Sequence, residues 1–251
     1  MLLEARGVTI RFGGLVAVNH ADVTIDPGRI TGLIGPNGAG KTTFFNCISG
    51  VHKIDGGEVV FAGRRIDGLR GFQINEAGIS RTYQVINLFR KMNVLDNVMV
   101  GMHSRLRQSF WASLFHSPGQ HSEERAALAK ARGLLKFVGL EGKAGYPAGN
   151  LSYGEQRLLE IIRGLASDPK LILLDEPAAG MNSVEKAQLD VLLKRILGTG
   201  VTILMIEHDM KLMMGVADYI YVLNYGSILA HGEPAEIQRN PDVIKAYLGG
   251  E

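Results

Sequence analysis

The 251 residues carry 27 Lys and Arg against 25 Asp and Glu, a formal charge of +2, so no bulk charge points to a nucleic acid partner. Hydrophobic residues make up 46% and charged residues 21%, a balance that excludes intrinsic disorder and predicts one compact unit with a full core. The lone Cys47 excludes an internal disulfide and paired-cysteine zinc sites, and no apolar run approaches the roughly 20 residues of a membrane helix.

The opening MLLEARG lacks the basic-then-apolar pattern of a signal peptide, which predicts a chain held in the reducing cytosol unless a partner keeps it at a membrane. VTIRF, LVAV, VTI and EVVFAG read as short antiparallel strands separated by Gly13-Gly14, Asp26-Pro27-Gly28 and Gly56-Gly57. RITGLIG, KLILLDE and GVTILMIEH are different: apolar nearly throughout, they predict parallel strands covered on both faces. Their C-terminal edges hold Gly35, then Asp175 and Glu176, then Glu207 and His208, and ligands of open α/β sheets bind at that edge. Residues 86–167 read as mostly helical, with Leu128, Ala131, Leu135 and Val138 at helical spacing, and form a candidate subdomain inserted between residues 1–85 and 168–251. YIYVL and ILAHG, joined by Asn224-Tyr225-Gly226-Ser227, predict a hairpin, followed by C-terminal helix around AEIQRN and PDVIKAYLG.

Gly35-Pro36-Asn37-Gly38-Ala39-Gly40-Lys41-Thr42 fits G-x-x-x-x-G-K-[ST] between an apolar strand and the helix-like KTTFFNCISG. Glycines let the backbone curl so that its N–H groups face phosphate oxygens, and the helix N-terminus adds its dipole. Lys41 is predicted to hold the β- and γ-phosphates of ATP, with Asn37, Gly38, Ala39, Gly40, Thr42 and Thr43 around them, and the Thr42 hydroxyl to ligate Mg²⁺. The second constellation is Asp175-Glu176 at the end of an apolar strand. Asp175 suits the task of holding Mg²⁺, and Glu176 suits polarising the water that attacks the γ-phosphate. The fold predicted is α/β: a P-loop NTPase core sheet with an N-terminal antiparallel β subdomain and the inserted helical subdomain.

Leu151-Ser152-Tyr153-Gly154-Glu155-Gln156 precedes the apolar-periodic RLLEIIRGLA, and Ser152 with Glu155 has the spacing of a capping box. The segment also resembles the LSGGQ signature of ATP-binding cassette (ABC) proteins, about twenty residues before the acidic strand end as in that family. The resemblance covers nearly the whole chain. It implies that Phe12 stacks on adenine with Val18 beside it, that Gln84 in RTYQ is the Q-loop glutamine and a Mg²⁺ neighbour, and that His208 is the switch histidine. It further implies that Ser152, Tyr153, Gly154 and Glu155 meet ATP bound on a second ATPase subunit. Three positions depart from the broad pattern: Tyr153 for glycine, Glu155 for glutamine, and Asn182 for the aspartate usual after the acidic strand end. The other histidines, His20, His52, His103, His116, His121 and His231, have no motif context and read as surface or turn residues.

RFGGLVAVN, LDEPAAGMN, IEHDMKLMMGVADYIYVLNYG and NPDVIKAYLG resemble the ATP-binding subunits of branched-chain amino acid importers, the longer of the two such subunits most of all. The reason is residues 103–121, HSRLRQSFWASLFHSPGQH, which carry Trp111, Phe110, Phe115, Arg105 and Arg107 and read as a packed hairpin or a partner contact. The resemblance implies ATP hydrolysis at the cytoplasmic face of the inner membrane, a second and different ATPase subunit, two transmembrane permeases and an external substrate-binding protein. Urea or amide import, lipopolysaccharide export, and a soluble ABC ATPase of DNA repair or translation stay open as alternatives.

Overall fold

A computed structural model of the chain describes residues 1–102 and 118–248, with side chains described for residues 1–102 and 123–247. The aromatic residues of the segment 103–121, Trp111 among them, lie outside the described residues.

Two sheets share the core. The first is antiparallel, in the order β2 (Leu15–Ile25), β1 (Leu3–Phe12), β4 (Gly56–Phe61), β5 (Arg64–Arg65). It buries Leu3, Ala5, Val8, Ile10, Val18, Ala21, Val23 and Ile25 on one face. The second has the order β10 (Ser227–Gly232), β9 (Tyr219–Asn224), β3 (Ile30–Ile34), β8 (Thr202–Ile206), β7 (Leu171–Asp175), β6 (Ile79–Arg81). All its pairings are parallel except that of β9 with β10. Every residue of β3, β7 and β8 is buried, as their unbroken apolar composition requires of strands covered on both faces.

The sheet differs from the sequence reading in two places. β9, expected only as half of a hairpin, also pairs in parallel with β3 and so extends the main sheet. β6 is three residues of Ile-Ser-Arg, too short to show a periodic pattern, and it holds the edge by pairing with β7.

The helices follow their caps. α1 (Lys41–Ile48) starts straight out of the glycine loop after β3, and α2 (Gly71–Ala77) precedes β6. α3 (Val94–Val100), α4 (Pro118–Phe137) and α5 (Tyr153–Leu165) lie between β6 and β7, where the sequence reads as helical. On α4, Ala131 and Leu135 of the expected stripe are buried and Leu128 is half-buried, as is Val138 in the turn just after the helix. α3 packs closely on α5: a methyl on Gly101 would lie 2.1 Å from the Arg163 carbonyl oxygen. α6 (Ser183–Leu197) follows β7 and α7 (Met210–Val216) follows β8. The expected C-terminal helix is two, α8 (Pro234–Arg239) and α9 (Pro241–Leu248), because Pro241 cannot continue α8. No helix among the described residues is long and apolar enough to cross a membrane.

A candidate nucleotide site at the strand ends

With β3, β8 and β7 side by side, the glycine loop, the Glu207-His208 turn and the Asp175-Glu176 pair come to one sheet edge. The loop owes its path to two glycines. Gly35 has φ 151° and its Cβ would sit 2.0 Å from the Leu223 carbonyl oxygen; Gly40 has φ 102° and its Cβ would sit 2.4 Å from the Ala17 carbonyl oxygen. A side chain at either would break the wrap. Lys41 is buried, and its Nζ donates to the carbonyls of Gly35 and Pro36, each at 2.8 Å. Burial lowers its pKa, against the pull of Glu176 and Asp175. Thr42 is exposed at the mouth of the loop.

A cleft of about 470 Å³ runs along this loop, lined by Phe12, Leu15, Val16 and Ala17 on one side and by Glu176 and His208 on the other. Asn37, Gly38, Ala39, Gly40, Lys41, Thr42 and Thr43 form its floor. Phe12 is 46% exposed and stands edge-to-face with the His52 ring, centroids 5.3 Å apart. Two expectations change here. Val18 is fully buried in the β2 core and is not among the residues lining the cleft; the register shifts between the Ile10–Val18 and Arg11–Val16 pairs, so the strand alternation is broken here and Val16 and Ala17 line it instead. His52, read as a surface histidine, supports Phe12, a contact between segments far apart in the chain and with no local signal.

At the end of β7, Glu176 adopts φ 49°, unusual for a residue with a side chain. Its Oε1 lies 2.8 Å from His208 Nε2, and its Oε2 accepts from Gln84 Nε2 at 3.0 Å. The three polar residues expected around the γ-phosphate thus form one hydrogen-bonded group. Asp175 is buried beside them; its Oδ2 accepts from Arg81 Nη2 at 2.9 Å, whereas its Oδ1 has no hydrogen-bond partner. Burial raises the Asp175 pKa, against the pull of Arg81. Arg81 also donates to Asn46 Oδ1 and Ser49 Oγ, each at 2.7 Å, so it bolts the end of β7 to α1. A divalent cation fits this donor set: a buried carboxylate with an unsatisfied oxygen, the Thr42 hydroxyl and the Gln84 amide are all oxygen donors.

The signature segment lies away from this cleft, at the start of α5. Its capping box is present: Ser152 Oγ accepts from the Glu155 N–H at 3.3 Å, and Glu155 Oε2 accepts from the Ser152 N–H at 3.1 Å. Burial opposes ionisation of Glu155, yet Lys143 and the Ser152 N–H hold its carboxyl below the ordinary range. Glu155 is therefore turned back onto its own helix, while Ser152 and Tyr153 are exposed and Gly154 is buried. Tyr153 lies against Gly180, where an added Cβ would come 3.0 Å from its ring. Asn182 caps α6, its Oδ1 accepting from Val184 and Glu185, and so does what an aspartate would do there. Arg157, one turn into α5, is fully buried and donates to the carbonyls of Tyr83 and Gln84, each at 2.7 Å, and to Glu160 Oε2 at 2.8 Å. It is a link from the signature helix to the Gln84 loop. As an arginine on the buried face of an amphipathic helix it left a sequence signal that the motif reading did not use.

The profile of the ABC transporter family matches residues 18–179. The chain belongs to the ABC transporter family. A second profile, described as a branched-chain amino acid ATP-binding cassette transporter, matches residues 227–251. The high-affinity branched-chain amino acid transport ATP-binding protein LivG of Escherichia coli is 46% identical over 249 residues, covering 99% of this chain and 98% of that protein. BraF of Pseudomonas aeruginosa, with the same description, is 45% identical over 249 residues, with the same coverage. A probable LivG of Archaeoglobus fulgidus is 35% identical over 252 residues, covering 100% and 96% of the two chains. Among solved structures, a nucleotide-free ATP-binding cassette from an ABC transporter superposes with a TM-score of 0.86 at 31% identity, covering 98% of each chain. The ADP conformation of an ABC transporter cassette superposes equally well, TM-score 0.86, at 30% identity over 100% and 99% of the chains. The α/β P-loop fold and nucleotide binding follow from this membership.

Proposed function

We propose that this chain is the ATP-hydrolysing subunit of an importer of branched-chain amino acids. The observation that carries the reading is the hydrogen-bonded group of Glu176, His208 and Gln84 beside the glycine loop, in a chain 46% identical over nearly its full length to LivG. The loop's N–H groups, the α1 N-terminus and Lys41 take the phosphates, and Phe12 takes the adenine face. Mg²⁺, when bound, neutralises charge on the β- and γ-phosphates, with Thr42, Asp175 and Gln84 as its neighbours. Glu176 orients and polarises the attacking water, and His208 fixes the Glu176 carboxylate and meets the γ-phosphate side.

Ser152 and Tyr153 lie outside the cleft of their own glycine loop, so the reading requires a second ATPase subunit across which ATP is shared, which we take to be a different chain. Residues 86–167 act as the helical subdomain that passes closure, through the Gln84 loop, to two permeases at the cytoplasmic face of the membrane. An external binding protein supplies the substrate. The test is uptake by the purified complex in liposomes. ATP-dependent accumulation of leucine, isoleucine or valine is the expected result; hydrolysis coupled to another solute would remove the substrate, and a complex without permeases would remove transport.

A further inference from the structure

β8 ends in a carboxylate that the hydrolytic reading does not use. Glu207 is 4% exposed, and a carboxylate so placed is costly unless its oxygens are satisfied. One oxygen, Oε1, accepts from the Ala178 N–H at 2.6 Å; the other, Oε2, accepts from the N–H groups of His208 at 3.1 Å and Asp209 at 3.4 Å. Burial pushes the Glu207 carboxyl up, against the pull of these three amides. The bonds to His208 and Asp209 are what any acidic residue opening a turn would make. The bond to Ala178 is not local: it is the shortest of the three and crosses 29 residues to the loop that follows the neighbouring strand.

Ala178 stands two residues after Glu176, and His208 directly follows Glu207. Since His208 Nε2 lies 2.8 Å from Glu176 Oε1, the five residues Glu176, Pro177, Ala178, Glu207 and His208 close a ring of covalent and hydrogen bonds. A second strut runs parallel to it, from Lys186 on α6 to Asp209 Oδ2 at 2.6 Å. The loop of residues 177–182, which runs past Tyr153 at Gly180, is thereby tied to the turn that carries His208.

We propose that Glu207 is a positioning residue: it fixes His208 against Glu176 and carries any displacement of the 177–182 loop to the histidine. The inference rests on reading Glu176 and His208 as the hydrolytic pair, so its test has one arm that needs no turnover. Glu207→Gln keeps the shape but replaces one accepting oxygen with a donor, so one side of the clamp must open. In the full chain, assembled with its permeases, the substitution is expected to lower kcat for ATP at least about tenfold with KM within about twofold, the signature of an interaction made in the transition state. Amide exchange at Ala178, or at His208 and Asp209, should accelerate in the same protein without nucleotide. Wild-type kcat in Glu207→Gln, kcat and KM changing together, or lost turnover with exchange unaltered at Ala178, His208 and Asp209 alike, overturns the proposal. Exchange in the wild-type protein needs no variant to fold: the Ala178 amide should be protected about a hundredfold over that of Gly180, and equal exchange at the two sinks the clamp.

Discussion

Replacing Arg157 by Met tests the link between the signature helix and the Gln84 loop. Arg157 is 0% exposed and its partner Glu160 is 1% exposed, so the substitution leaves an interior carboxylate without its ion-pair partner, Arg163 acting on it only through space. Breaking a buried pair in this way costs about 3–5 kcal/mol. The Tyr83 and Gln84 carbonyls add little, because both residues are exposed and water can replace the lost donor. About 4 kcal/mol is a large part of the roughly 5–15 kcal/mol that holds a domain folded, and for a chain of this size it lowers Tm by about 10 °C. The Arg157 Nε is buried without a partner, so part of the desolvation cost of the guanidinium is never recovered. The double variant Arg157→Met, Glu160→Gln removes both charges, while the side-chain amide oxygen it leaves on this turn of α5 still accepts from the Asn87 N–H, as Glu160 does at 3.2 Å. It should therefore recover to within about 1 kcal/mol of wild type. The assay is urea denaturation of the two variants and wild type. A single variant that costs under about 1 kcal/mol, or a double variant no more stable than the single, refutes the account of this pair.

Glu176→Gln should keep ATP binding and lose turnover, accumulating a closed complex visible by gel filtration with ATP; near-normal hydrolysis would remove Glu176 from its role. Phe12→Ala should raise KM for ATP several-fold with kcat little changed, since stacking contributes about 1 kcal/mol, and an unaltered KM would take Phe12 out of the site. Burial in α1 pushes the Cys47 thiol up to about 12, so at pH 8 the thiolate fraction is negligible. A disulfide reagent should leave the native protein untouched at that pH and modify it in urea; rapid reaction of the native chain would show that α1 opens.

The parallel core was legible because β3, β7 and β8 are buried on both faces, a condition that leaves an unbroken apolar run and nothing else. The polar ends of those runs gave the site for the same reason: a charged residue adjoining such a strand has only the sheet edge to occupy. What the sequence hid are contacts between distant residues. His52 on Phe12, Arg81 from Asp175 to Asn46 and Ser49, Arg157 on the Tyr83 and Gln84 carbonyls, and Glu207 on Ala178 each join segments with no common periodicity. Val18 lies just past an irregularity in the β1–β2 register, which no local pattern announces and which puts it in the core while Val16 lines the cleft. The departures Glu155 and Asn182 lose their oddity once seen as helix caps.

The Phe12–Leu15 hairpin has a consequence for which nucleotide is consumed. Its cleft-facing side chains, Phe12, Leu15, Val16 and Ala17, are all hydrocarbon, so this wall offers a base a surface and no side-chain donor or acceptor. Guanine and adenine differ at their edges and share a π-face, and an apolar wall cannot strongly reject an analogue that differs only in polar groups. Discrimination between purines is thereby surrendered at this wall and left to cellular abundance: GTP should drive the same cycle with a KM within about tenfold of that for ATP.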